Sequence, residues 1–398
     1  MKRLLLASAA SVAVASGALA QSGGDTVKIG VILGFTGPIE SLTPRMADSA
    51  ELALQEINDA GGILDGKMLE PVRADSTCVD AAAATAGAER LVTSDGVSAI
   101  MGADCSGVTG AVLANVAVPN GVVMISPSAT SPGLSTAEDN GLFFRTSPSD
   151  ARQGEVIAAM LQERGMTDVA VTYTNNDYGK GLSDSFVRAF EANGGTVTLN
   201  APHEDGKADY SAEIGALASA GGSALVVLGY ADQGGKGMIQ AALDSGAFDT
   251  FVLGDGMYSD SLTGAFGNSL DATIGAVPWT EGEGTEAFAK VASDAGIDAN
   301  STYTRESYDA AALIALAMQA AGSTDANTFK DKVTEVANAP GEQILPGELA
   351  KALQILKDGG EIDYVGATNV ELVGPGEAAG TYREYEIKDG DFETVKFR

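Results

Sequence analysis

The apolar residues of this chain follow two alternating patterns. Short, almost uninterrupted apolar runs such as residues 27–33 are typical of strands that are buried on both faces. Longer segments between them carry apolar residues at helical spacing, as Met46, Ala50 and Leu54 do in the first. The pattern predicts strands at 27–33, 70–74, 97–101 and 122–125, and a second series at 169–173, 196–199, 224–228 and 251–253.

Strands that alternate with helices need crossover connections, so each series predicts a mostly parallel sheet with helices on both faces. Beyond Pro278 a helix-rich segment is followed by short strands near 361–373 and 382–387. We therefore predict an α/β protein with two doubly wound parallel-sheet lobes. Ligands of such sheets bind at the carboxyl ends of the strands. The loops to consider are 34–43, 103–107, 126–132, 174–179, 229–233 and 254–259.

The N-terminus predicts export. Lys2 and Arg3 precede an apolar run of small residues, and Ala18-Leu19-Ala20 has the form of a cleavage site, so we expect a signal peptide over residues 1–20. Serines interrupt this apolar run, and no second apolar stretch long enough to span a membrane follows it. Both observations disfavour a membrane anchor. No cysteine stands at the cleavage point to take a lipid. We expect a periplasmic protein that is not membrane-inserted after processing.

Length and charge narrow the function classes. Cleavage leaves 378 of 398 residues, which predicts two domains. The formal net charge is −30, and loss of Lys2 and Arg3 makes the mature value about −32. Such a charge repels nucleic acid and anionic lipid. Its acidic residues are scattered, as expected of a solvated surface.

The usual signatures of enzymes are missing from the sequence. His203 is the single histidine, and its neighbours in residues 202–206 predict an exposed loop, so a catalytic triad or histidine-rich metal site is disfavoured. The glycine-rich stretch 234–237 lacks the Ser or Thr of a P-loop. We predict no enzyme activity, no cofactor and no metal; a hydrolase that uses carboxylates alone stays open.

Cys78 and Cys105 are the two cysteines. An exported chain meets an oxidising compartment, where pairing is the default. Two free or metal-binding thiols are the alternative, which the absence of a nearby histidine disfavours.

Hydroxyl groups dominate the predicted strand-end loops of the first series, at 104–107 and 126–130. Hydroxyls and helix N-terminal N–H groups neutralise a carboxylate without a cation. The second series offers Tyr178, Tyr230 and Asp255 at its own strand ends. Each residue alone also suits a helix cap, a turn or packing. Together, a carboxylate facing a hydroxyl-lined wall suits a zwitterionic amino acid.

Several segments carry a resemblance to a known family: 29–37 (IGVILGFTG), 124–132 (MISPSATSP), 143–146 (FFRT) and 253–256 (LGDG). With Tyr178-Gly179 and the segments around the two cysteines, they make nearly all of the mature chain similar to the periplasmic leucine/isoleucine/valine-binding proteins of ABC transporters. That resemblance implies the type I periplasmic binding fold, with the ligand in a cleft between the lobes.

The resemblance also implies a set of residue roles. Cys78 and Cys105 would form the family disulfide. Ser106, Ser128 and Thr130 would hold the ligand carboxylate, assisted by the backbone of Ser128 and Ala129, while Tyr178 and Tyr230 would close over the ligand and Asp255 would meet its α-ammonium.

The hinge of this family has three segments, which the resemblance places near Ser147, Pro278 and Gly380. The expected lobes are residues 26–147 plus 279–379 and residues 148–278 plus 380–398. We expect the protein to capture an amino acid, branched-chain or related, by lobe closure and to deliver it to a membrane permease. The alternative is the same fold binding another small carboxylate or amide, as a transport binder or a ligand sensor.

Two departures from the family pattern concern the ligand. Asp255 stands where Glu is commoner, which shortens the reach by one methylene. Glu40, in the first loop, is expected to place a carboxylate at the side-chain pocket, which would admit a polar or cationic ligand side chain.

Overall fold

The computed structural model describes residues 26–398, so the predicted signal peptide lies outside the described residues. Two seven-stranded sheets form the cores of two lobes. The first sheet has the order β13-β14-β5-β4-β3-β1-β2. Its strands are β1 (Val27–Leu33), β2 (Leu69–Asp75), β3 (Ala99–Gly102), β4 (Val123–Ser126), β5 (Phe143–Arg145), β13 (Leu372–Val373) and β14 (Glu377–Ala378).

The second sheet repeats the arrangement, in the order β16-β15-β10-β9-β8-β6-β7. Its strands are β6 (Asp168–Thr174), β7 (Thr196–His203), β8 (Leu225–Leu228), β9 (Phe251–Leu253), β10 (Ile274–Pro278), β15 (Tyr382–Lys388) and β16 (Asp391–Phe397). The first five strands of each sheet pair in parallel, whereas β13, β15 and β16 pair antiparallel with their neighbours. A separate two-stranded sheet joins β11 (Glu342–Ile344) to β12 (Ile362–Tyr364).

Helices cover both sheets, as the parallel topology requires. In the first lobe they are α1 (Thr43–Asp59), α2 (Ala81–Glu89), α3 (Ser106–Val112), α4 (Val118–Asn120), α10 (Glu283–Asp294), α11 (Thr304–Ala321), α12 (Ala326–Ala337) and α13 (Leu349–Lys357). In the second lobe they are α5 (Asp150–Glu163), α6 (Asp177–Ala192), α7 (Ser211–Ala220), α8 (Gly234–Ser245) and α9 (Asp260–Phe266). Among residues 26–398, no helix is both long and apolar enough to cross a membrane.

Helix α11 shows how the first core is filled. All its residues from Thr304 to Met318 are buried, because the helix packs between the sheet and the surrounding helices α1, α12 and α13. From residue 310 to residue 318 the helix is apolar on every side, as expected in such an interior. It fixes the segment just before it, residues 301–303, at the edge of the cleft.

The chain passes between the sheets three times: between β5 and α5, after β10, and between β14 and β15. We call these segments the three crossovers. The predicted alternation and the two-lobed fold class are confirmed, while the residue bounds of the lobes stay a prediction.

Candidate functional site

The strand order of each sheet reverses direction beside its first strand, at β1/β3 and at β6/β8. Loops that diverge at such a point leave a crevice at the carboxyl ends of the strands. The loops after β1, β3 and β4 of the first lobe face those after β6, β8 and β9 of the second. The predicted site residues lie on these loops.

Hydroxyl groups tie the loops of the first lobe into one wall. Ser126 Oγ donates to the Ala103 carbonyl at 2.5 Å, and Ser128 Oγ donates to the Asp104 carbonyl at 3.0 Å. Ser106 Oγ accepts from the Ser131 N–H at 3.0 Å, so its own proton stays available to a ligand oxygen. The backbone N–H groups of Ser128 and Ala129 turn away, toward Ser126 Oγ at 3.4 and 3.0 Å.

The disulfide between Cys78 and Cys105 anchors this wall to the neighbouring loop. The sulfurs are bonded, with 5.1 Å between the Cα atoms, which confirms the predicted pairing. Cys105 immediately precedes α3, so the bridge fixes the position of Ser106 at the start of that helix.

Arg145 supports the same wall from behind and explains the FFRT motif. Its buried guanidinium donates to the carbonyls of Ala129 and Ser131, at 2.9 Å each, and forms an ion pair with Glu377. These two carbonyls flank Thr130, so the arginine sets the course of the loop.

Aromatic and acidic groups form the wall of the second lobe. The rings of Tyr178 and Tyr230 stack with 5.1 Å between centroids, and Tyr178 Oη donates to Asp255 Oδ1 at 2.8 Å. The Gly256 N–H donates back to the Tyr178 oxygen at 3.1 Å. These contacts hold the Asp255 carboxylate toward the cleft.

The two walls meet around a small cavity of ≈ 20 Å³, room for about one water molecule. Ser106, Ser128, Tyr178, Tyr230 and Asp255 all line it. The other two predicted residues, Ala129 and Thr130, are buried in the wall and do not line it. The remaining lining residues are Ile39, Leu42, Met46, Asp104, Cys105, Gly256 and Tyr303.

Asp255 is 2% exposed, and burial raises the pKa of its carboxyl group although two tyrosine hydroxyls donate to it. The second donor is Tyr303 of the first lobe, which sequence reasoning missed. Tyr303 has φ 61°, an uncommon conformation for a bulky residue. It precedes α11 and carries its hydroxyl across the cleft.

Asp150 is a second buried acid that sequence reasoning missed. It is fully buried, and neither carboxylate oxygen has a hydrogen-bond partner among residues 26–398. Burial and the nearby Asp255 raise the pKa of its carboxyl group well above the ordinary value. The adjacent Thr130 hydroxyl makes no hydrogen bond of normal geometry. Two neighbouring buried acids favour either protonation of one of them or the binding of a cation.

Two predictions from the sequence were wrong. Glu40 is exposed and does not line the cavity, because the first loop directs Ile39 and Leu42 inward. His203 is 1% exposed rather than in an exposed loop, since it ends β7 and its Nδ1 lies 2.8 Å from Thr172 Oγ1. Its polar neighbours 204–206 start only after the strand ends.

Contacts across the rim keep the cleft closed. Asp232 of the second lobe accepts from the Ser41 N–H at 2.9 Å and donates its own N–H to the Pro38 carbonyl at 3.2 Å. Ser41 Oγ lies 3.1 Å from Ser259 Oγ. On the other side, Gly181 of α6 lies directly against the 131–132 segment.

Two α/β lobes joined by three crossovers, with a small cavity between them, have the architecture of a two-lobed solute-binding protein. A family model described as "Periplasmic binding protein" matches residues 26–350, and the chain belongs to that family. The resemblance proposed from the motifs is thereby confirmed.

Individual relatives agree with this assignment. The chain is 31% identical over 324 residues to the Leu/Ile/Val-binding protein homolog 3 of Brucella melitensis, covering 80% of this chain and 84% of the relative. The chain also resembles a solved structure, that of the branched-chain amino acid transporter substrate-binding protein LivJ of Streptococcus pneumoniae in complex with isoleucine. The TM-score is 0.77 and the sequence identity 26%, and the match covers 94% of this chain and all of the other. A solute-binding protein of an ABC transporter of Rhodopseudomonas palustris, in complex with p-hydroxybenzoic acid, shares the fold with a TM-score of 0.76 and 18% identity, covering 94% and 97%.

Proposed function

We propose that this protein captures an amino acid with an aliphatic side chain between its lobes and delivers it to the permease of an ABC transporter. One observation carries the proposal: a cavity between the lobes that is lined by the hydroxyls of Ser106 and Ser128 on one side and by the buried Asp255 on the other, with the buried Asp150 near Asp255. The relatives bearing Leu/Ile/Val-binding names and the isoleucine-bound LivJ support the ligand class.

The hydroxyl wall suits the ligand carboxylate. Ser106 and Ser128 line the cavity, and each hydroxyl can donate to a carboxylate oxygen. Thr130 joins them once the loop adjusts, since its hydroxyl is not committed to another group. Ala129 contributes to the shape of the wall and does not donate a hydrogen bond to the ligand.

Asp255 and Asp150 suit the ligand ammonium. A buried carboxylate without a cation carries a large desolvation cost, and an ammonium group offsets it. A simple acid such as a benzoate brings no cation to offset that cost. The two aspartates therefore favour an amino acid over the carboxylate alternative, which the p-hydroxybenzoate-bound neighbour keeps as a second candidate.

The side-chain end of the cavity is apolar. Ile39, Leu42 and Met46 line it and are almost fully buried, and the charge of Glu40 lies outside. This lining matches an aliphatic side chain and gives a cationic one no partner. At ≈ 20 Å³ the cavity is too small for an amino acid, so it must widen around the ligand, and capture involves hinge motion at the crossovers.

For this role the protein would work in the periplasm, where cleavage after residue 20 releases it. Its lobes would meet at the predicted bounds 147/148, 278/279 and 379/380. Closure presents one joint surface of both lobes to the permease. No chemical conversion of the ligand is required in this scheme.

Calorimetric titration of the ligand-stripped chain from Gln21 tests the proposal. We expect saturable one-to-one binding to one or more aliphatic amino acids and its loss in Asp255→Ala. The isosteric Asp150→Asn is expected to weaken amino-acid binding at least about tenfold, as loss of a charged hydrogen-bond partner does. If no amino acid binds and a benzoate binds tightly, the proposed ligand class is wrong, although the fold assignment stands.

A further inference from the structure

Tyr303 joins the two lobes at the ligand cavity. It precedes α11 of the first lobe, whereas Asp255 follows β9 of the second. Asp255 receives one hydroxyl from each lobe: Tyr178 of its own lobe donates to Oδ1, and Tyr303 of the opposite lobe donates to Oδ2. The first contact can persist when the lobes part, but the second exists only while they are closed.

Thr302 adds a second hydrogen bond between the same two segments. Its hydroxyl donates to the carbonyl of Tyr258, in the loop that carries Asp255, at 2.8 Å. Thr302 and Tyr303 are 3% and 6% exposed, so water competes little for either contact. We call residues 302–303 the latch segment. It attaches the first lobe to the loop that faces the ligand ammonium.

The backbone of Tyr303 has an unfavourable conformation. Its φ of 61° and ψ of 11° lie in the left-handed region, which a bulky residue rarely adopts. Tyr303 also occupies the N-cap position of α11 without a side-chain cap, where Ser, Thr, Asp or Asn ordinarily stabilises a helix. Strain of this kind is concentrated at ligand clamps and switch regions. What the conformation provides here is a hydroxyl that reaches the opposite lobe.

The strength of the Tyr303 contact depends on the charge of Asp255. Burial and the neighbouring Asp255 raise the pKa of the Tyr303 hydroxyl well above its ordinary value, so the hydroxyl remains a donor. An ionised carboxylate accepts about twice as strongly as a neutral group. A cation beside Asp255 favours the ionised form. A ligand ammonium therefore strengthens the contact that holds the lobes together.

We propose that Tyr303 is the residue that couples recognition of the ligand ammonium to closure of the lobes. Closure forms the Tyr303 and Thr302 hydrogen bonds, so the ligand gains affinity from contacts that it does not make itself. Both bonds are absent from the open form, and their loss should speed dissociation more than it slows association. The coupling to capture rests on the proposed function, whereas the latch between the lobes does not.

Disulfide trapping measures closure without a ligand. Ser41 Oγ and Ser259 Oγ lie 3.1 Å apart across the rim, so Ser41→Cys combined with Ser259→Cys can form a bridge only when the lobes are closed. Without a cation the buried Asp255 disfavours closure, so the empty protein is mostly open and the trapping rate follows its small closed fraction. Tyr303→Phe should slow trapping about fivefold, as expected for the loss of one hydrogen bond.

Tyr364→Phe is the matched control. Tyr364 of β12 donates to the buried Asp309 of α11 at 2.8 Å, and neither residue lines the ligand cavity. This variant also loses a hydroxyl that donates to a buried carboxylate, but it loses no contact between the lobes. It should keep the wild-type trapping rate. Equal trapping by wild-type protein and folded Tyr303→Phe, or equal slowing in the control, would overturn the latch.

Binding of isoleucine then tests the coupling, by calorimetry and by stopped-flow fluorescence of Trp279, the single tryptophan of the chain. Tyr303→Phe should weaken affinity at least about tenfold, mainly through faster dissociation, and Thr302→Val about fivefold. Slower trapping with unchanged isoleucine affinity would overturn the coupling. If the wild type binds no amino acid while Tyr303→Phe still slows trapping, the proposed function is wrong and the latch stands.

Discussion

Gly181 makes lobe closure possible, because a larger residue would collide with the opposite lobe. A Cβ at this position of α6 would lie 2.8 Å from Pro132 Cδ and 2.9 Å from Ser131 Oγ. Overpacking of this kind costs about 1–3 kcal/mol. The collision exists only where the lobes touch, so the open form avoids it.

Gly181→Ala should therefore weaken ligand binding without destabilising the protein. A cost of about 1–3 kcal/mol on the closed form corresponds to about 5- to 150-fold weaker affinity. In the ligand-free protein, alanine in a helix gains up to about 1 kcal/mol over glycine. We expect a higher dissociation constant by calorimetry and an unchanged or raised ligand-free melting temperature.

Gly215→Ala is the matched control. Gly215 lies inside helix α7 of the same lobe, and a Cβ there meets no atom within 4 Å. This variant should gain the same helix propensity and keep the wild-type affinity. Wild-type affinity in Gly181→Ala would refute the reasoning, since it would show that ligand-bound protein is not closed at this contact.

Three further perturbations test other parts of the structure. Asp232→Asn replaces a charged acceptor of the Ser41 N–H at the rim, and calorimetry should show about 1 kcal/mol, or about fivefold, weaker binding. Arg145→Lys cannot reach two carbonyls and Glu377 together, so binding should weaken at least about tenfold, with a lower melting temperature. Burial lowers the pKa of His203 to about 4 from 6.5. The neutral ring therefore contributes fully to the free energy of unfolding above pH 6.5, and this contribution is lost as the pH falls toward 4. In denaturant titrations, His203→Asn should lose about 3 kcal/mol less stability than the wild type over that pH range.

Much of the fold was predictable because parallel strands buried on both faces carry unbroken apolar runs. The first four strands of each sheet were found in this way, although β7 extends four residues beyond its predicted end. Strand β16 was missed because most of its residues are exposed, so its sequence, DFETVKF, lacks a continuous apolar run. Strand β5 was missed because its three residues, FFR, give only two consecutive apolar positions before an arginine.

The site was predictable only as far as residues follow strand ends. Ser106, Tyr178 and Asp255 meet because their loops leave the same edge of each sheet. Asp150 was missed because an acid in the first turn of a helix, here after a Ser149 cap, ordinarily stabilises the helix dipole. Tyr303 was missed because its contact with the second lobe depends on how α11 is placed.

The central claim is that a zwitterionic aliphatic amino acid is captured between the hydroxyl wall and the two aspartates. The most direct measurement compares two ligands that differ only in the ammonium group, isoleucine and 3-methylpentanoate, by calorimetry on the ligand-stripped mature protein. The account predicts saturable one-to-one binding of isoleucine and at least about a hundredfold weaker binding of the acid, as expected for a ligand that leaves buried carboxylates unpaired. Equal or tighter binding of 3-methylpentanoate would contradict it.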